Sequence, residues 1–318
     1  MRGGEGQKGQ DMADIKKIAE PQKQAPQTVK PVFRSRIITG DVLAVLRRQP
    51  ADLQFDVVIA DPPYNIGKNF GTNQDDLPIE DYVVWCKTWL AECFRLLAKN
   101  GLIYVYGVPE ILAHLAVQYP IKEQRWLAWH YTNKAVPSSR FWQRSFESIL
   151  CLWQPGTKRP ELEIEQIRQP YTEDFLKCAG RERNSTKGRY SRGGKKTLYN
   201  DNGGALPRDL IEVPALAGGA GRAERWFACR DCGGGARPPN ELANHKNCNV
   251  LKHPTQKPMK LTKRLIQSRI DGKQGRTLIP FAGSGSECVV AHSLGISYLG
   301  VEINPEFARF ARSWVKNA

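Results

Sequence analysis

Apolar residues follow two spacings along residues 36–153 of this chain. Compact apolar runs are typical of buried strands, whereas apolar residues spaced by three and four positions are typical of amphipathic helices. The pattern predicts helices over 42–48 and 82–97, the second stopped by Asn100-Gly101. It predicts strands at 36–39, 55–60, 102–106, 127–131 and 149–153.

The same alternation returns after His253. The spacing predicts helices over 260–270, 287–294 and 305–315, the last with a proline in its first turn. It predicts strands at 277–279 and 297–301. Strands that alternate with helices are typical of an α/β fold with a largely parallel sheet.

Periodicity fails between the two stretches, where Gly, Pro, Arg and Lys are abundant. Residues 1–32 contain no aromatic residue and are rich in Gln, Lys, Gly and Pro, which predicts a flexible N-terminal arm. The chain is therefore divided into that arm, a folded part at 33–154, an irregular insertion at 155–250 and a second folded part at 251–318.

The net charge of the chain favours one class of binding partner. The 318 residues include 47 Lys and Arg against 32 Asp and Glu, a formal net charge of +15, and 41% are hydrophobic. This composition excludes wholesale disorder and coiled coil, and no run reaches the ~18 apolar residues of a membrane span. The basic excess favours a polyanion. Residues 181–196, with seven Lys and Arg and one Glu, are either a solvated loop or a phosphate contact.

Glycines follow the predicted strand at 277–279, in Phe281-Ala282-Gly283-Ser284-Gly285. Glycines between a strand and a helix let a ligand approach the backbone closely at the helix N-terminus. Glu302 ends the next predicted strand, where a carboxylate can accept hydrogen bonds from both ribose hydroxyls. Together these residues predict an adenosine-type ligand. The third glycine of the dinucleotide fingerprint is missing, which argues against a pyrophosphate cofactor.

Asp61-Pro62-Pro63-Tyr64 directly follows the predicted strand at 55–60. Open α/β sheets bind ligands at the carboxyl ends of their strands. The two prolines have no amide donor, so nearby carbonyls can act as acceptors. A carboxylate, a carbonyl and an aromatic ring suit a flat base that carries an exocyclic amine.

With these motifs the chain resembles the DNA methyltransferases that methylate adenine N6 or cytosine N4. Residues 61–64 resemble their catalytic tetrapeptide, residues 281–285 their S-adenosylmethionine loop, and His253-Pro254-Thr255-Gln256-Lys257-Pro258 the segment before that loop. The order of the motifs resembles the permuted beta group. The resemblance implies a Rossmann-like, S-adenosylmethionine-dependent methyltransferase sheet, circularly permuted. Residues 33–154 would be its catalytic half, 251–318 its cofactor-binding half, and 155–250 the target-recognition region for double-stranded DNA.

The resemblance also implies residue roles. Asp61 and the Pro62 carbonyl would accept hydrogen bonds from the target amine, and Tyr64 would stack on a base flipped out of the duplex. Asp41 would contact the cofactor adenine, and Lys257 would lie near its methionine carboxylate. The glycine-loop residues and Glu302 would bind the rest of the cofactor. Phe141 and Glu147 fall where the family has a base-pocket segment.

The residues leave the target base and the activity open to alternatives. In the family, Asp at the first position of the tetrapeptide is typical of adenine N6 enzymes and Ser of cytosine N4 enzymes, so Asp61 favours adenine, with cytosine N4 as the alternative. The family has an acidic residue where this chain has Ile279, and this departure favours a second alternative, a catalytically idle DNA-binding protein. A cytosine C5 enzyme would need a cysteine nucleophile preceded by proline, and none of the eight cysteines follows one. Monomer and homodimer are both open.

The cysteines suggest a metal site in the insertion. The first 31 residues lack the apolar core of a secretory signal, so a cytoplasmic, reducing location is expected, where cysteines act as thiols or metal ligands. Cys229-x2-Cys232, twelve further residues and His245-x2-Cys248 have the spacing of a tetrahedral site. A structural Zn²⁺ would rigidify a region with few apolar residues. The alternative is four unrelated residues in a flexible segment.

Overall fold

The computed structural model describes residues 33–68, 75–133, 139–177, 181–189, 191–197, 203–217, 224–233, 235–236, 240–272 and 274–318. The chain divides into two units, Met1–Phe33 and Arg34–Ala318, and every element below belongs to the second. The predicted N-terminal arm lies outside the described residues.

Most strands are short and lie between helices or turns. In chain order they are β1 (Arg36–Thr39), β2 (Phe55–Ala60), β3 (Leu97–Gly107), β4 (Gln124–His130), β5 (Phe146–Leu152), β6 (Glu182–Gly188), β7 (Ser191–Thr197), β8 (Leu210–Glu212), β9 (Phe227–Cys229), β10 (Gly235–Ala236), β11 (Val250–Lys252), β12 (Arg276–Ile279) and β13 (Ser297–Glu302).

The longer helices connect the strands of the main sheet, and the shorter ones lie in the insertion. They are α1 (Val42–Arg47), α2 (Ile79–Arg95), α3 (Pro109–Ala116), α4 (Glu173–Lys177), α5 (Asn240–Ala243), α6 (Met259–Gln267), α7 (Ser286–Ser293) and α8 (Pro305–Lys316), with 3₁₀ turns at Ile121–Glu123 and Ile164–Ile167. Within the described residues, no helix has the length and apolar character needed to cross a membrane.

The main sheet has the strand order β1-β13-β12-β2-β3-β5-β4-β8. Neighbours from β1 to β3 are parallel, β5 is antiparallel to β3 and β4, and β8 is parallel to β4. This arrangement confirms the predicted α/β fold with a largely parallel sheet. Strands from the two ends of the chain meet at its centre, where Val57 of β2 pairs with Thr277 of β12. The carboxyl ends of these two strands therefore lie side by side.

Strand β2 is apolar at five of its six positions because helices cover the central strands of a parallel sheet on both faces. On one face, Val57 and Ile59 belong to the same buried cluster as Leu261 and Leu265 of α6. Burying side chains of this size contributes roughly 1.5–3 kcal/mol each. The tight packing fixes where the end of β2 lies.

The predicted helix stop at Asn100-Gly101 is wrong. Helix α2 ends at Arg95, and both residues lie inside β3. Phe55 pairs with Leu97 whereas Val57 already pairs with Leu102, so β3 carries extra residues that bulge out of the ladder. The polar dipeptide lies in this bulge, which explains why it resembles a turn in the sequence.

The insertion is more ordered than its composition predicts. The basic stretch 181–196, expected to be a loop, forms most of an antiparallel hairpin of β6 and β7. Neither strand carries alternating apolar residues, so the pattern that reveals a half-buried strand is missing. Elsewhere in the insertion, β8 extends the main sheet, and β9 forms a small sheet with β10 and β11.

Candidate active site

A cavity of about 440 Å³ opens where the carboxyl ends of β2, β12 and β13 meet. All of the predicted catalytic and cofactor-binding residues except Gly285 line it: Asp41, Asp61, Pro62, Pro63, Tyr64, Lys257, Phe281, Ala282, Gly283, Ser284 and Glu302. Residues up to 261 positions apart in the sequence thus share one site.

The tetrapeptide turns sharply away from the end of β2. The Tyr64 hydroxyl donates a hydrogen bond to Asp61 Oδ1 at 2.8 Å, which closes the turn on itself. The Tyr82 hydroxyl of α2 donates to the Pro63 carbonyl at 2.7 Å. The Pro62 carbonyl accepts no hydrogen bond from the described residues, so it remains an acceptor for a ligand.

Lys257 is buried beside the tetrapeptide. Its ammonium donates to Asp61 Oδ2 at 2.7 Å and lies 3.8 Å from Glu147 Oε2. It also lies 5.3 Å and 5.0 Å from the ring centres of Tyr64 and Tyr106. The family resemblance places this lysine near a methionine carboxylate, whereas here its ammonium donates a hydrogen bond to Asp61, the expected acceptor for the target amine. A cofactor carboxylate would therefore compete with Asp61 for Lys257.

Burial and charge oppose each other in this cluster. Burial raises the pKa of Asp61, and the Lys257 cation limits that rise. Burial disfavours the Lys257 ammonium, but the charges of Asp61 and Glu147 outweigh burial and raise the pKa of Lys257. The lysine therefore stays charged, and its charge favours the ionised, acceptor form of Asp61.

Glu147 contacts the tetrapeptide through the Tyr64 hydroxyl. Its Oε2 accepts a hydrogen bond from the Tyr64 hydroxyl at 2.9 Å, and its Oε1 accepts one from Tyr131 at 3.1 Å. A phenol has one hydrogen to donate, so Glu147 and Asp61 compete for that of Tyr64. Phe141, the other base-pocket residue implied by the resemblance, is 80% exposed and does not line the cavity.

The glycine loop turns between β12 and α7 through left-handed backbone at Gly283 and Gly285. A Cβ at Gly283 would lie 2.9 Å from His253, and one at Gly285 would lie 2.6 Å from the Cβ of Ala311. Gly285 therefore serves close helix packing, which explains why it does not line the cavity. Phe281 is fixed by an edge contact with Trp89, with ring centres 5.1 Å apart.

Glu302 ties the loop to β13. Its Oε2 accepts a hydrogen bond from the Gly283 amide at 2.7 Å, and its Oε1 accepts one from the Asn304 amide at 2.8 Å. Each carboxylate oxygen has a further lone pair that a ligand hydroxyl could use. Asp41 caps α1 through the Ala44 amide and lies at the end of β1, the neighbour of β13. The two carboxylates thus lie near the carboxyl ends of adjacent strands.

Sequence reasoning missed Glu287, which is only 3% exposed and lines the same cavity. Its Oε2 accepts a hydrogen bond from the Ser286 hydroxyl at 2.9 Å, while Oε1 has no partner among the described residues. Burial, aided by the nearby charge of Asp61, raises the pKa of Glu287 to about 7. Its place in the first turn after the glycine loop was the available signal.

Three of the four predicted zinc ligands are brought together in the insertion. One ligand atom each of Cys229, His245 and Cys248 lies within 4.8 Å of the other two. Cys232 lies at the edge of this group, exposed, with its Sγ 3.6 Å from His245 Nδ1.

Comparisons with known proteins agree with this geometry. A DNA methylase family model for N6 and N4 enzymes matches residues 55–313. The type II methyltransferase M.HpaI of Haemophilus parainfluenzae is 27% identical over 87% of this chain and 73% of its own length. The DNA adenine methyltransferase YhdJ of Escherichia coli K12 is 26% identical over 86% of this chain and 80% of its own length.

Solved structures share the fold. A PvuII DNA methyltransferase, cytosine-N4-specific, has a TM-score of 0.58 at 15% identity and covers 88% of this chain and 86% of its own. The M1.HpyAVI–SAM complex has a TM-score of 0.51 at 17% identity and covers 87% of this chain and 97% of its own. The chain therefore belongs to the family of S-adenosylmethionine-dependent DNA methyltransferases that methylate the amino group of adenine N6 or cytosine N4.

Proposed function

We propose that this protein methylates the exocyclic N6 of adenine in double-stranded DNA, on a base turned out of the helix into the cavity. The observation that carries the proposal is the end of β2, where the Asp61 carboxylate lies beside the Tyr64 ring and the Pro62 carbonyl, which accepts no hydrogen bond from any described residue. An amine has two hydrogens, and this turn offers two acceptors. Asp61 in place of the serine typical of cytosine N4 enzymes favours adenine.

The cavity residues fit S-adenosylmethionine. Glu302 and Asp41 would hold the ribose and adenine at the ends of β13 and β1, and the glycine loop gives the backbone access that a close-lying ligand needs. Lys257 would attract the methionine carboxylate. The bound cofactor supplies an electrophilic methyl group on its sulfonium.

In the proposed mechanism, Asp61 and the Pro62 carbonyl each accept a hydrogen bond from the adenine amine. These bonds draw electron density toward nitrogen and favour a tetrahedral geometry aligned for methyl transfer. The nitrogen would gain a bond to the methyl carbon as the bond between that carbon and the sulfonium sulfur breaks, which leaves a neutral thioether. The nitrogen would then lose one proton, for which the Asp61 carboxylate is the nearest base. Its raised pKa, caused by burial, suits that role, while Lys257 keeps the carboxylate ionised beforehand.

Tyr64 would stack on the target base. Its hydroxyl lies 2.8 Å from Asp61 Oδ1 and 2.9 Å from Glu147 Oε2, and its one hydrogen can bind either carboxylate, so the ring has little freedom to rotate away. Glu147 acts through Tyr64 as a positioning residue. Unstacking a base costs a few kcal/mol, which such a prepared platform would partly offset.

DNA binding would fall mainly to the insertion. Exposed basic side chains of the β6–β7 hairpin, among them Lys187, Arg192 and Lys195, can reach phosphates without rearrangement of the core. Base reading would use other side chains of residues 155–250 in the major groove.

The test uses unmethylated plasmid DNA, purified protein and labelled S-adenosylmethionine, followed by mass spectrometry of the nucleosides. N6-methyladenine is the expected product. N4-methylcytosine would contradict the base assignment and keep the family. Cofactor binding without transfer to DNA would support the idle DNA-binding protein instead.

A further inference from the structure

Cys229, Cys232, His245 and Cys248, here called the Cys/His cluster, lie outside the cavity and are not used by the proposed reaction. Strand β9 ends at Cys229, and the chain then turns tightly, with the Gly233 amide donating to the Cys229 carbonyl at 3.1 Å. The Cys232 amide donates to Cys229 Sγ at 3.4 Å. An amide directed at a sulfur atom stabilises the thiolate form, which is the form that binds metal.

The second ligand pair follows the short helix α5. A tight turn brings the Cys248 amide to the His245 carbonyl at 3.0 Å, so both side chains leave the same turn. The two turns are also joined to each other. The Arg230 amide donates to the Asn249 carbonyl at 2.8 Å, and the Asn249 amide donates to Asp231 Oδ2 at 2.6 Å. The backbone thus holds the two pairs face to face.

The ligand atoms lie close enough together to share one metal ion. With Zn–S and Zn–N bonds of about 2.3 and 2.0–2.1 Å, tetrahedral coordination holds a sulfur and a nitrogen about 3.6 Å apart. Cys232 Sγ and His245 Nδ1 are 3.6 Å apart, and Cys229, His245 and Cys248 have ligand atoms within 4.8 Å of one another. Movement of the exposed Cys232 side chain toward the other three ligands would complete the set of four.

We propose that the Cys/His cluster binds one structural Zn²⁺. Three thiolates and one imidazole suit zinc, and four protein ligands leave no open position for a substrate. The metal would stabilise a segment whose small sheet has strands of only two or three residues. This site does not depend on which base the enzyme methylates.

The zinc would also fix the segment that carries Lys257. Strand β11 begins two residues after Cys248, pairs with β9, and leads directly into His253–Lys257. The same unit is attached to α8 by the stacked rings of Trp226 and Trp314, 5.9 Å apart, and by the Arg230–Glu306 ion pair at 2.8 Å. The metal therefore anchors one end of a segment whose other end reaches Asp61.

The experiment measures metal content by mass spectrometry in protein purified under reducing conditions without added metal. Wild type is expected to hold about one zinc per chain. Cys248→Ser should lose it, whereas Cys248→His, which keeps a ligand, should retain it. Lys246→Ala is the matched control, because this exposed side chain lies in the same turn, and it should keep the metal.

A second readout covers variants that fail to fold. A thiol-reactive mercurial added to wild-type protein should release zinc, detected with a chromogenic chelator. Hydrogen exchange should then rise over residues 227–232 and 248–257 and remain unchanged in β2. Metal-free wild-type protein, or a disulfide between two of the cluster's cysteines, would overturn the proposal. Wild-type protein that holds zinc but transfers no methyl group to DNA would count against the proposed function and leave the zinc proposal standing.

Discussion

The sheet region and the insertion differ in whether their charged side chains are buried or exposed. At the cavity, Asp61, Lys257 and Glu287 are removed from water and balanced against one another. In the β6–β7 hairpin, Lys187, Arg192 and other basic side chains are exposed. Charges buried together have perturbed pKa values and suit chemistry, whereas exposed like charges suit attraction of a polyanion. The contrast predicts that changes at the cavity alter turnover, and that changes in the hairpin alter DNA affinity.

The largest effect is expected for Asp61→Ala. This substitution removes one of the two proposed acceptors for the amine and the proposed base for its proton, so kcat should fall by about 10³-fold or more. DNA affinity, measured by fluorescence anisotropy, should remain within a few-fold of wild type. Asp76→Ala, at an exposed carboxylate that does not line the cavity, should be active. An active Asp61→Ala would refute the assigned chemistry.

Lys257→Met should give the next largest effect, a fall of about 10²-fold in kcat at neutral pH. Without the cation, Asp61 and Glu147 face each other unbalanced, and the pKa of Asp61 should rise further. The ionised acceptor then exists only at higher pH, so the rising limb of the pH–rate profile should move upward. Lys260→Met, at an exposed lysine three positions away, should leave the profile in place. An unchanged profile in Lys257→Met would show that the ion pair does not tune Asp61.

The same contrast explains how much could be predicted from the sequence. Strand β2 and the glycine loop were predictable because burial on both faces leaves a continuous apolar run, and a turn at a strand end leaves glycines. The ion pair between Asp61 and Lys257 could not be predicted from the sequence, since the two residues are 196 positions apart and no local pattern couples them. The family resemblance implied that both residues belong to the site, but it paired Lys257 with the methionine carboxylate of the cofactor and not with Asp61.

The other features that the sequence did not predict have local causes. Asn100-Gly101 resembles a helix stop but lies in a bulge of β3, because the strand pairs with β2 on both sides of it. The β6–β7 hairpin is polar throughout, so its strands carry no alternating signal. Glu287 is a single acidic residue in a helical first turn, and only the packing of the surrounding elements reveals that it is buried.

Glu287→Gln tests what a buried charge costs the sheet region. Folded Glu287 keeps its proton up to about pH 7, whereas the unfolded chain releases it near pH 4.5, so the folded state binds more protons between these values. Stability therefore falls as pH rises through this window, by about 3 kcal/mol from this group. Urea unfolding at pH 5 and pH 8 should show this loss in wild type and a smaller one in Glu287→Gln. Glu161→Gln, at an exposed position, should match wild type, and equal losses in all three proteins would contradict the assignment.

The smallest effect per residue is expected for substitutions in the hairpin, and these should change DNA affinity and not kcat. Arg192→Ala with Lys195→Ala removes two exposed cations that lie far in sequence from every cavity residue. Each lost phosphate contact lowers the slope of log affinity against log salt by about 0.9, so the pair should reduce the slope by nearly two. At saturating DNA, kcat should stay at the wild-type value, because the buried ion pair at Asp61 is untouched. A lower kcat with an unchanged salt slope would instead mean that the hairpin acts on the cavity, and the division between a buried catalytic region and an exposed binding region would fail.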